Sequence, residues 1–187
     1  MVLIVVENIV VFKFSQQKHI KTLTLTKRYY MLGIMKHLFL DFDGVVSPYA
    51  PYMQKVTACT SIGGFDISYL EEVVEWVNSL VNDPEWNVYW LTTWVKKIHH
   101  LSVIGISDDI HVIKPVEYVN PKKGLLWKPK AGLAQYDEIM KNDPDDIVVW
   151  IDDDPRICKH DKKNLYWYAP QENTGITQRM MDEINAL

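Results

Sequence analysis

The sequence has little of several features that would mark whole classes of protein. Only two of its 187 residues are cysteine, Cys59 and Cys158, and they do not form a CxxC motif. A disulfide framework is therefore not expected, and two reduced thiols fit a cytoplasmic protein. Glycine is also scarce, with eight residues, and there is no internal repeat or low-complexity tract. Most of the chain is thus expected to fold.

Excess positive charge and long apolar runs are missing as well. The formal net charge is −4 and the isoelectric point is about 5.8, so no general attraction to nucleic acid or to an anionic membrane is expected. The Val- and Ile-rich start, residues 1–14, is interrupted by Glu7 and Asn8 and is too short to span a bilayer. It also has no positive n-region and no cleavage site of a secretory signal. The sequence predicts no membrane segment.

Residues 1–34 are predicted to be an extension separate from the main domain. The run from Lys18 to Arg28 is basic and rich in threonine, without helical periodicity. Met35 stands directly before the first strong strand, as a natural start would, so an upstream start codon would explain the extension. We expect residues 1–34 to be peripheral or poorly ordered, and residues 35–187 to form one domain.

From Met35 onward, apolar strands alternate with amphipathic helices. The predicted strands are residues 36–42, 87–92, 111–113, 147–151 and 165–168. The predicted helices are residues 69–81, 95–101, 130–141, preceded by Pro129, and 177–187. This alternation indicates an α/β fold, a doubly wound, Rossmann-like parallel sheet with helices on both faces.

The most informative residues are Asp41-Phe42-Asp43-Gly44, directly after the apolar run 38–40. Carboxylates two residues apart lie on the same side of an extended chain, and Gly44 permits the turn that follows. Two such charges repel by roughly 4 kcal/mol at about 4 Å and an effective dielectric near 20. The pair therefore needs a cation, a shared proton or full solvation. By itself, the tetrapeptide is equally compatible with an Asx-rich turn.

Other polar residues follow the remaining strands. Thr92, Thr93 and Trp94 come after the second strand, and Asp152-Asp153-Asp154 come after strand 147–151. Lys128 and Lys130 lie at the start of the preceding helix. Ligands bind outside the carboxyl ends of the strands in open parallel sheets, so these groups are expected to converge at one edge.

Carboxylates, hydroxyls and a lysine in one place suit phosphoryl transfer with a divalent cation. Mg²⁺ prefers oxygen ligands, which Asp41 and one carboxylate of residues 152–153 would provide. One carboxylate can attack phosphorus to give an aspartyl-phosphate, and a second can act as acid and then base. Thr92 would bind a phosphoryl oxygen, and a lysine would offset negative charge.

The order of these motifs along the chain resembles that of the haloacid dehalogenase (HAD) superfamily of aspartate-nucleophile phosphohydrolases. A strand is followed by Asp-Phe-Asp-Gly, a second strand by Thr, and a later strand by Asp-Asp, with a Lys before that last strand. More narrowly, 90–94 (WLTTW), Trp127-Lys128 and residues 170–177 are similar to small, uncapped bacterial and phage members. The resemblance implies an Mg²⁺-dependent phosphatase. It makes Asp41 the nucleophile, and Asp43 the acid/base and a metal ligand through its backbone carbonyl. The remaining residues that it implies are the hydroxyl Thr92, the lysine Lys128, and Asp153 as metal ligand with Asp152 as second choice.

Several alternatives stay open at this point. Lys130 is an alternative to Lys128 as the motif lysine, and Thr93 is an alternative to Thr92 as the motif hydroxyl. The triple Asp leaves the identity of the metal ligand uncertain by one residue. A phosphorylation-receiver domain is disfavoured because its acceptor Asp follows an internal strand, whereas Asp-x-Asp-Gly opens this domain. A catalytically silent HAD-like binding module is the other alternative, although none of the motif residues is missing.

Insert lengths bear on substrate choice. Only about twenty residues, 47–68, separate the first motif from the next helix, enough for a flap or hairpin with Gly63-Gly64 as its turn. No folded cap is expected, so the site is open. A small phosphomonoester, a nucleotide or a nucleic-acid end all fit, and the acidic surface provides no basic track for nucleic acid. The physiological substrate and the oligomeric state are not determined by the sequence.

Tryptophan is abundant, with seven residues, and two roles are predicted. Trp76, Trp86, Trp90 and Trp150 sit in or beside core elements and are expected to pack there. Trp94 follows the motif-two threonines at the active edge, where it could either pack or stack on a substrate.

Overall fold

The computed structural model describes residues 2–6, 9–13, 33–49, 58–62, 64–115, 127–154 and 161–187. The chain divides into two compact units, Met1–Gly33 and Ile34–Leu187. In the first unit, strands β1 (Val2–Val6) and β2 (Ile9–Lys13) form an antiparallel pair. The basic run 18–28 and Cys158 lie outside the described residues. The expectation of a peripheral or poorly ordered extension stays a prediction.

The second unit contains seven described strands and three described α-helices. The strands are β3 (Lys36–Leu40), β4 (Ala58–Ile62), β5 (Phe65–Tyr69), β6 (Trp86–Trp90), β7 (His111–Val112), β8 (Ile147–Ile151) and β9 (Leu165–Tyr168). The helices are α1 (Glu71–Asn82), α2 (Trp127–Asn142) and α3 (Gln178–Asn185). None of the helices in these described ranges combines the length and apolarity needed to cross a bilayer.

Five of these strands form one parallel sheet in the order β7-β6-β3-β8-β9. Strands β3, β6 and β7 are added in one direction, and the chain then returns to place β8 and β9 on the other side of β3. The predicted α/β class with a doubly wound parallel sheet is confirmed. The reversal between β3 and β8 creates the crevice at which ligands bind in such sheets.

Both faces of the sheet are covered, as the continuous apolar strands predict. Leu38 and Leu40 point to one face and share a core with α1 and α3, whereas Phe39 belongs to the core formed with α2. Strand β8 alternates in the same way. Each fully buried side chain of this size contributes about 1.5 to 3 kcal/mol, so the central strands are held firmly from both sides.

Strands β8 and β9 have the predicted bounds, whereas several other elements differ at their ends. Strand β3 ends at Leu40 rather than at residue 42, because the Phe42 carbonyl accepts hydrogen bonds from the following turn. Strand β6 is Trp86–Trp90 rather than 87–92. The strand at 111–113 is shortened to His111–Val112. These shifts place Asp41 and Thr92 just beyond their strands.

Helix boundaries differ more. Helix α1 begins at Glu71, not at 69, and α3 spans Gln178–Asn185 rather than 177–187. Helix α2 begins at Trp127, so the prediction that Pro129 precedes it is wrong. A proline is tolerated in the first turn of a helix because the N–H it lacks would have no acceptor there. The helix predicted over 95–101 is replaced by two 3₁₀ segments, Thr93–Lys96 and Ile98–Ile104.

A hairpin lies between the first motif and α1. Strands β4 and β5 pair antiparallel with Ile62 opposite Phe65, which confirms the predicted hairpin. Gly64 adopts a φ of +84°, a left-handed conformation suited to glycine, and Gly63 lies outside the described residues. The expectation that no cap domain is present stays a prediction.

Candidate functional site

The strand register brings three chain segments level with one another at the carboxyl edge of the sheet. Leu40 lies opposite both Trp90 and Ile151. The Asp41 N–H donates to the Ile151 carbonyl at 3.1 Å, and the Leu91 N–H donates to the Leu40 carbonyl at 2.9 Å. The segments that follow β3, β6 and β8 therefore begin side by side.

Lys128 joins two of these segments. It lies in the first turn of α2, and its ammonium group donates to Oδ2 of Asp41 and, at 3.1 Å, to Oδ2 of Asp152. All three side chains are buried, with exposed fractions of 3, 4 and 0%. Their other oxygens are bound as well, because Asp41 Oδ1 accepts the Phe42 N–H at 2.7 Å and Asp152 Oδ1 accepts the Asp154 N–H at 3.1 Å. Asp41 and Asp152 are thus held rigidly in place.

Asp153 completes a cluster of three carboxylates. Asp41, Asp152 and Asp153 each offer an oxygen, and these oxygens all lie within 4.8 Å of one another. Gly44 makes room for this arrangement, because a Cβ atom built on it would lie 2.5 Å from Asp153 Oδ2. Gly44 also has a φ of +69°, which a side chain would disfavour. Oxygen donors at this spacing fit a hard divalent cation such as Mg²⁺.

The site has more negative than positive charge among the described residues. Asp41, Asp43, Asp152 and Asp153 face one lysine, Lys128. Burial, followed by the charge of Asp41, raises the pKa of Asp152 to about 6, and the same causes raise the pKa of Asp153. Burial alone would lower the pKa of Lys128, but Asp41 and Asp152 outweigh it and hold that pKa above its ordinary value. The lysine stays charged, and a further cation would relieve the remaining repulsion.

Asp43 has a different environment. The Trp94 indole N–H donates to its Oδ2 at 2.8 Å. Burial raises the pKa of Asp43, while this hydrogen bond acts in the opposite direction. Asp43 makes no described bond to Lys128, so the two carboxylates of the first motif have separate partners. A carboxyl group with a raised pKa suits a proton donor.

Trp94 therefore has two contacts: its ring packs against the core, and its indole N–H binds Asp43. Its ring meets that of Phe42 edge-on with centroids 5.2 Å apart, and it is partly buried against the core. Trp76, Trp86, Trp90 and Trp150 are all buried, as predicted.

The structure also shows which of the two threonines and which of the two lysines lies at the site. Thr92 is fully buried and its hydroxyl accepts the Trp94 N–H at 3.3 Å, whereas Thr93 is exposed. Lys130 lies at the surface while Lys128 reaches the carboxylates. Thr92 and Lys128 are thus the members of each pair that lie at the site.

Two aromatic residues near these carboxylates were not predicted from the sequence. Tyr49 and Phe65 expose 50 and 52% of their surface. Burial, followed by the charges of Asp43 and Asp153, raises the pKa of Tyr49. Phe65 contacts the Trp94 ring. No local sequence signal connects Phe65 to Asp43, since the contact between them runs through Trp94.

Comparison with known families gave one match. Residues 37–181 match the family model described as the HAD domain in Swiss Army Knife RNA repair proteins, which covers well over half of the chain. Searches of curated proteins and of solved structures found no match.

Proposed function

The chain belongs to the family of HAD domains found in Swiss Army Knife RNA repair proteins, and we propose that it is a Mg²⁺-dependent phosphomonoester phosphatase. Membership makes it a hydrolase of the HAD superfamily, in keeping with the motif pattern. The phosphatase assignment is supported above all by one arrangement. The Lys128 ammonium bridges Asp41 and Asp152 inside a buried group of carboxylates at the crevice of the sheet.

In the first step, a carboxylate oxygen of Asp41 attacks the phosphorus of the substrate. The new bond is Asp41 O–P, and the bond to the leaving oxygen breaks with its electron pair. Asp43 protonates that oxygen, a role supported by its raised pKa. Lys128 and the Phe42 N–H orient the nucleophile. The Thr92 hydroxyl would bind a phosphoryl oxygen.

In the second step, water attacks the aspartyl-phosphate. Asp43, now ionised, takes a proton from the water as the new P–O bond forms and the Asp41 O–P bond breaks. Inorganic phosphate leaves, Asp41 is regenerated as a carboxylate, and Asp43 is protonated again.

The residues that would hold Mg²⁺ are Asp41, Asp153 or Asp152, and the backbone carbonyl of Asp43. Their oxygen donors and excess negative charge fit a hard divalent cation. When bound, the ion would neutralise charge on the phosphoryl oxygens.

For the substrate, we propose a nucleic-acid end, with a nucleotide or another small phosphomonoester as the alternative. The family description places such domains in RNA repair proteins. A terminal phosphate on a nucleic-acid strand is a phosphomonoester, which is the substrate that the proposed reaction requires. Two reduced cysteines fit a cytoplasmic setting.

The test is phosphate release from 5′- and 3′-phosphorylated oligoribonucleotides and from a panel of small phosphomonoesters. Activity should require Mg²⁺ and disappear with a chelator. Asp41→Asn should lower kcat by about a thousandfold or more, because an amide is a poor nucleophile. Far-UV circular dichroism should show that the variant is folded.

The exposed Asp145→Asn variant provides the matched control and should keep wild-type activity. Wild-type rates in Asp41→Asn would disprove the nucleophile assignment. Absence of turnover on every substrate would favour the catalytically silent binding module.

A further inference from the structure

Phe65 is an aromatic residue near the site that the proposed reaction does not use. It opens β5 and exposes 52% of its surface, although phenylalanine is normally buried. The β4–β5 hairpin carries it outward instead of inserting it into the core, to which the neighbouring Ile67 belongs. A single exposed ring is common on protein surfaces, so the contacts that connect Phe65 to the reactive groups carry the argument.

The position of Phe65 relative to the reactive groups follows from two contacts. Its ring meets the Trp94 ring edge-on with centroids 5.8 Å apart. The Trp94 indole in turn donates to Asp43 at 2.8 Å. Phe65 therefore lies about one indole width from the proposed acid. In a terminal nucleotide, one sugar separates the base from the phosphate. A phosphate held beside Asp43 would therefore leave its base near Phe65.

A cation accompanies the ring. The Lys97 ammonium lies 3.9 Å from the centroid of Phe65 and 5.8 Å from that of Trp94. Across the ranges 33–49, 58–62, 64–115, 127–154 and 161–187, no carboxylate forms an ion pair with Lys97. Within these ranges, the Lys97 charge is in contact with aromatic rings and is not neutralised by a carboxylate. Aromatic rings for stacking, together with cations for the backbone, are the usual elements of single-stranded nucleic-acid sites.

We propose that Phe65 and Lys97 form a subsite for the terminal nucleoside of the substrate, in which Phe65 stacks on the base and Lys97 binds the next phosphate. The subsite rests on the proposed phosphatase function and identifies the substrate as one that carries a base. The net charge of −4 supports stacking as the main source of affinity, because an acidic chain is expected to make few phosphate contacts.

The experiment compares two oligoribonucleotides with the same terminal phosphate, one with a terminal base and one with an abasic terminal sugar. Wild-type protein should prefer the base-bearing substrate by roughly tenfold in kcat/KM. Phe65→Ala should lower kcat/KM for the base-bearing substrate much more than for the abasic one and so remove this preference, whereas Phe65→Tyr should keep it. Tyr166→Ala, which removes another half-exposed ring, on β9, is the matched control and should behave like wild type.

Salt dependence tests Lys97 separately. One phosphate contact to a single strand predicts a slope of about −0.7 for the logarithm of affinity against the logarithm of salt concentration. Lys97→Gln should therefore make the measured slope less steep by about 0.7, while the contribution of the terminal phosphate remains. An unchanged slope would remove Lys97 from the subsite.

A binding measurement separates the subsite from catalysis. Asp41→Asn protein is titrated with adenosine 5′-monophosphate and with ribose 5-phosphate, with tryptophan fluorescence as readout. Tighter binding of the base-bearing ligand, lost when Phe65→Ala is added, supports the subsite even if wild-type protein hydrolyses nothing, in which case only the phosphatase proposal fails. Equal binding of the two ligands, or a base preference that survives Phe65→Ala, overturns the subsite even if phosphatase activity is present.

Discussion

At the scale of single residues, the site depends on a buried ammonium group placed between two buried carboxylates. Removing one partner from such a group leaves an uncompensated charge in a medium that solvates it poorly. The hydrogen bonds that Phe42 and Asp154 donate to the two carboxylates keep their positions but add no positive charge. Lys128 is therefore expected to affect folding as well as catalysis.

Lys128→Met should destabilise the metal-free protein by about 3 to 5 kcal/mol, because Asp41 and Asp152 lose their shared cation. Lys130→Met, two residues along the same helix and at the surface, should change stability by no more than about 0.5 kcal/mol. Urea unfolding in the presence of a chelator measures both. Equal effects of the two substitutions would contradict the placement of Lys128.

Trp94→Phe should slow the hydrolysis of substrates that have poor leaving groups. Phenylalanine keeps a ring beside Phe42 but lacks the N–H that holds Asp43. Because a misplaced acid matters most when the leaving oxygen needs a proton, hydrolysis of alkyl phosphates should slow roughly tenfold, while hydrolysis of p-nitrophenyl phosphate should change little. Steady-state kinetics on the two substrates provide the comparison. A uniform loss on both would indicate that Trp94 is only structural.

At the scale of elements, the sheet and helices set the distances between the reactive groups. Helix α2 places Lys128 over the ends of β3 and β8, which requires the helix to lie close to the sheet. Gly132, one turn further along α2, allows this approach. A Cβ atom there would overlap the Trp150 indole and lie 2.8 Å from Leu91 Cδ2.

Gly132→Ala should therefore destabilise the protein, although alanine is the better helix former. Helix propensity favours alanine by about 1 kcal/mol, but overpacking of a well-filled core costs about 1 to 3 kcal/mol. We expect a net loss of about 1 kcal/mol, measured as a lower midpoint of urea unfolding. In a Trp150→Phe background, the smaller ring should reduce the loss. A gain in stability from Gly132→Ala alone would show that α2 can move away from the sheet.

At the scale of the whole molecule, the order of the strands assembles the site. The motifs after β3, β6 and β8 are far apart in sequence and become adjacent because β3 lies between the other two strands. The three-carboxylate cluster therefore exists only in the folded domain. A cation that binds it must stabilise the fold by mass action.

Mg²⁺ should raise the melting temperature of the protein. At a concentration about one hundred times Kd, the gain is about 2.7 kcal/mol, or roughly 5 to 10 °C for a chain of this size. Asp153→Asn should lose most of the shift, whereas Asp145→Asn, at an exposed ion pair, should retain it. Thermal unfolding with and without a chelator makes the measurement. If Asp153→Asn showed the same Mg²⁺-induced rise in melting temperature as wild type, Asp152 rather than Asp153 would be the metal ligand.

Particular elements show where sequence reasoning works. Strands β8 and β9 were predicted with their observed bounds, since short apolar runs with polar flanks are local signals. The helix predicted over 95–101 was wrong in type, because the choice between an α-helix and 3₁₀ turns depends on how the chain must return to the sheet. The start of α2 was misplaced because Pro129 is compatible with both sides of a helix boundary.

The sequence was enough to indicate a hydrolase of the HAD superfamily, because each motif is a local pattern at a strand end. These motifs are Asp41-Phe42-Asp43-Gly44, Thr92 and the triple Asp after a later strand. The resemblance favoured Lys128 over Lys130, and the tertiary structure shows that Lys128 is the lysine that reaches the carboxylates. Residues 128 and 130 lie about 200° apart around a helix, and only docking on the sheet selects one of them. The same holds for the Trp94–Asp43 hydrogen bond and for Phe65 beyond it, since both depend on contacts between residues distant in sequence.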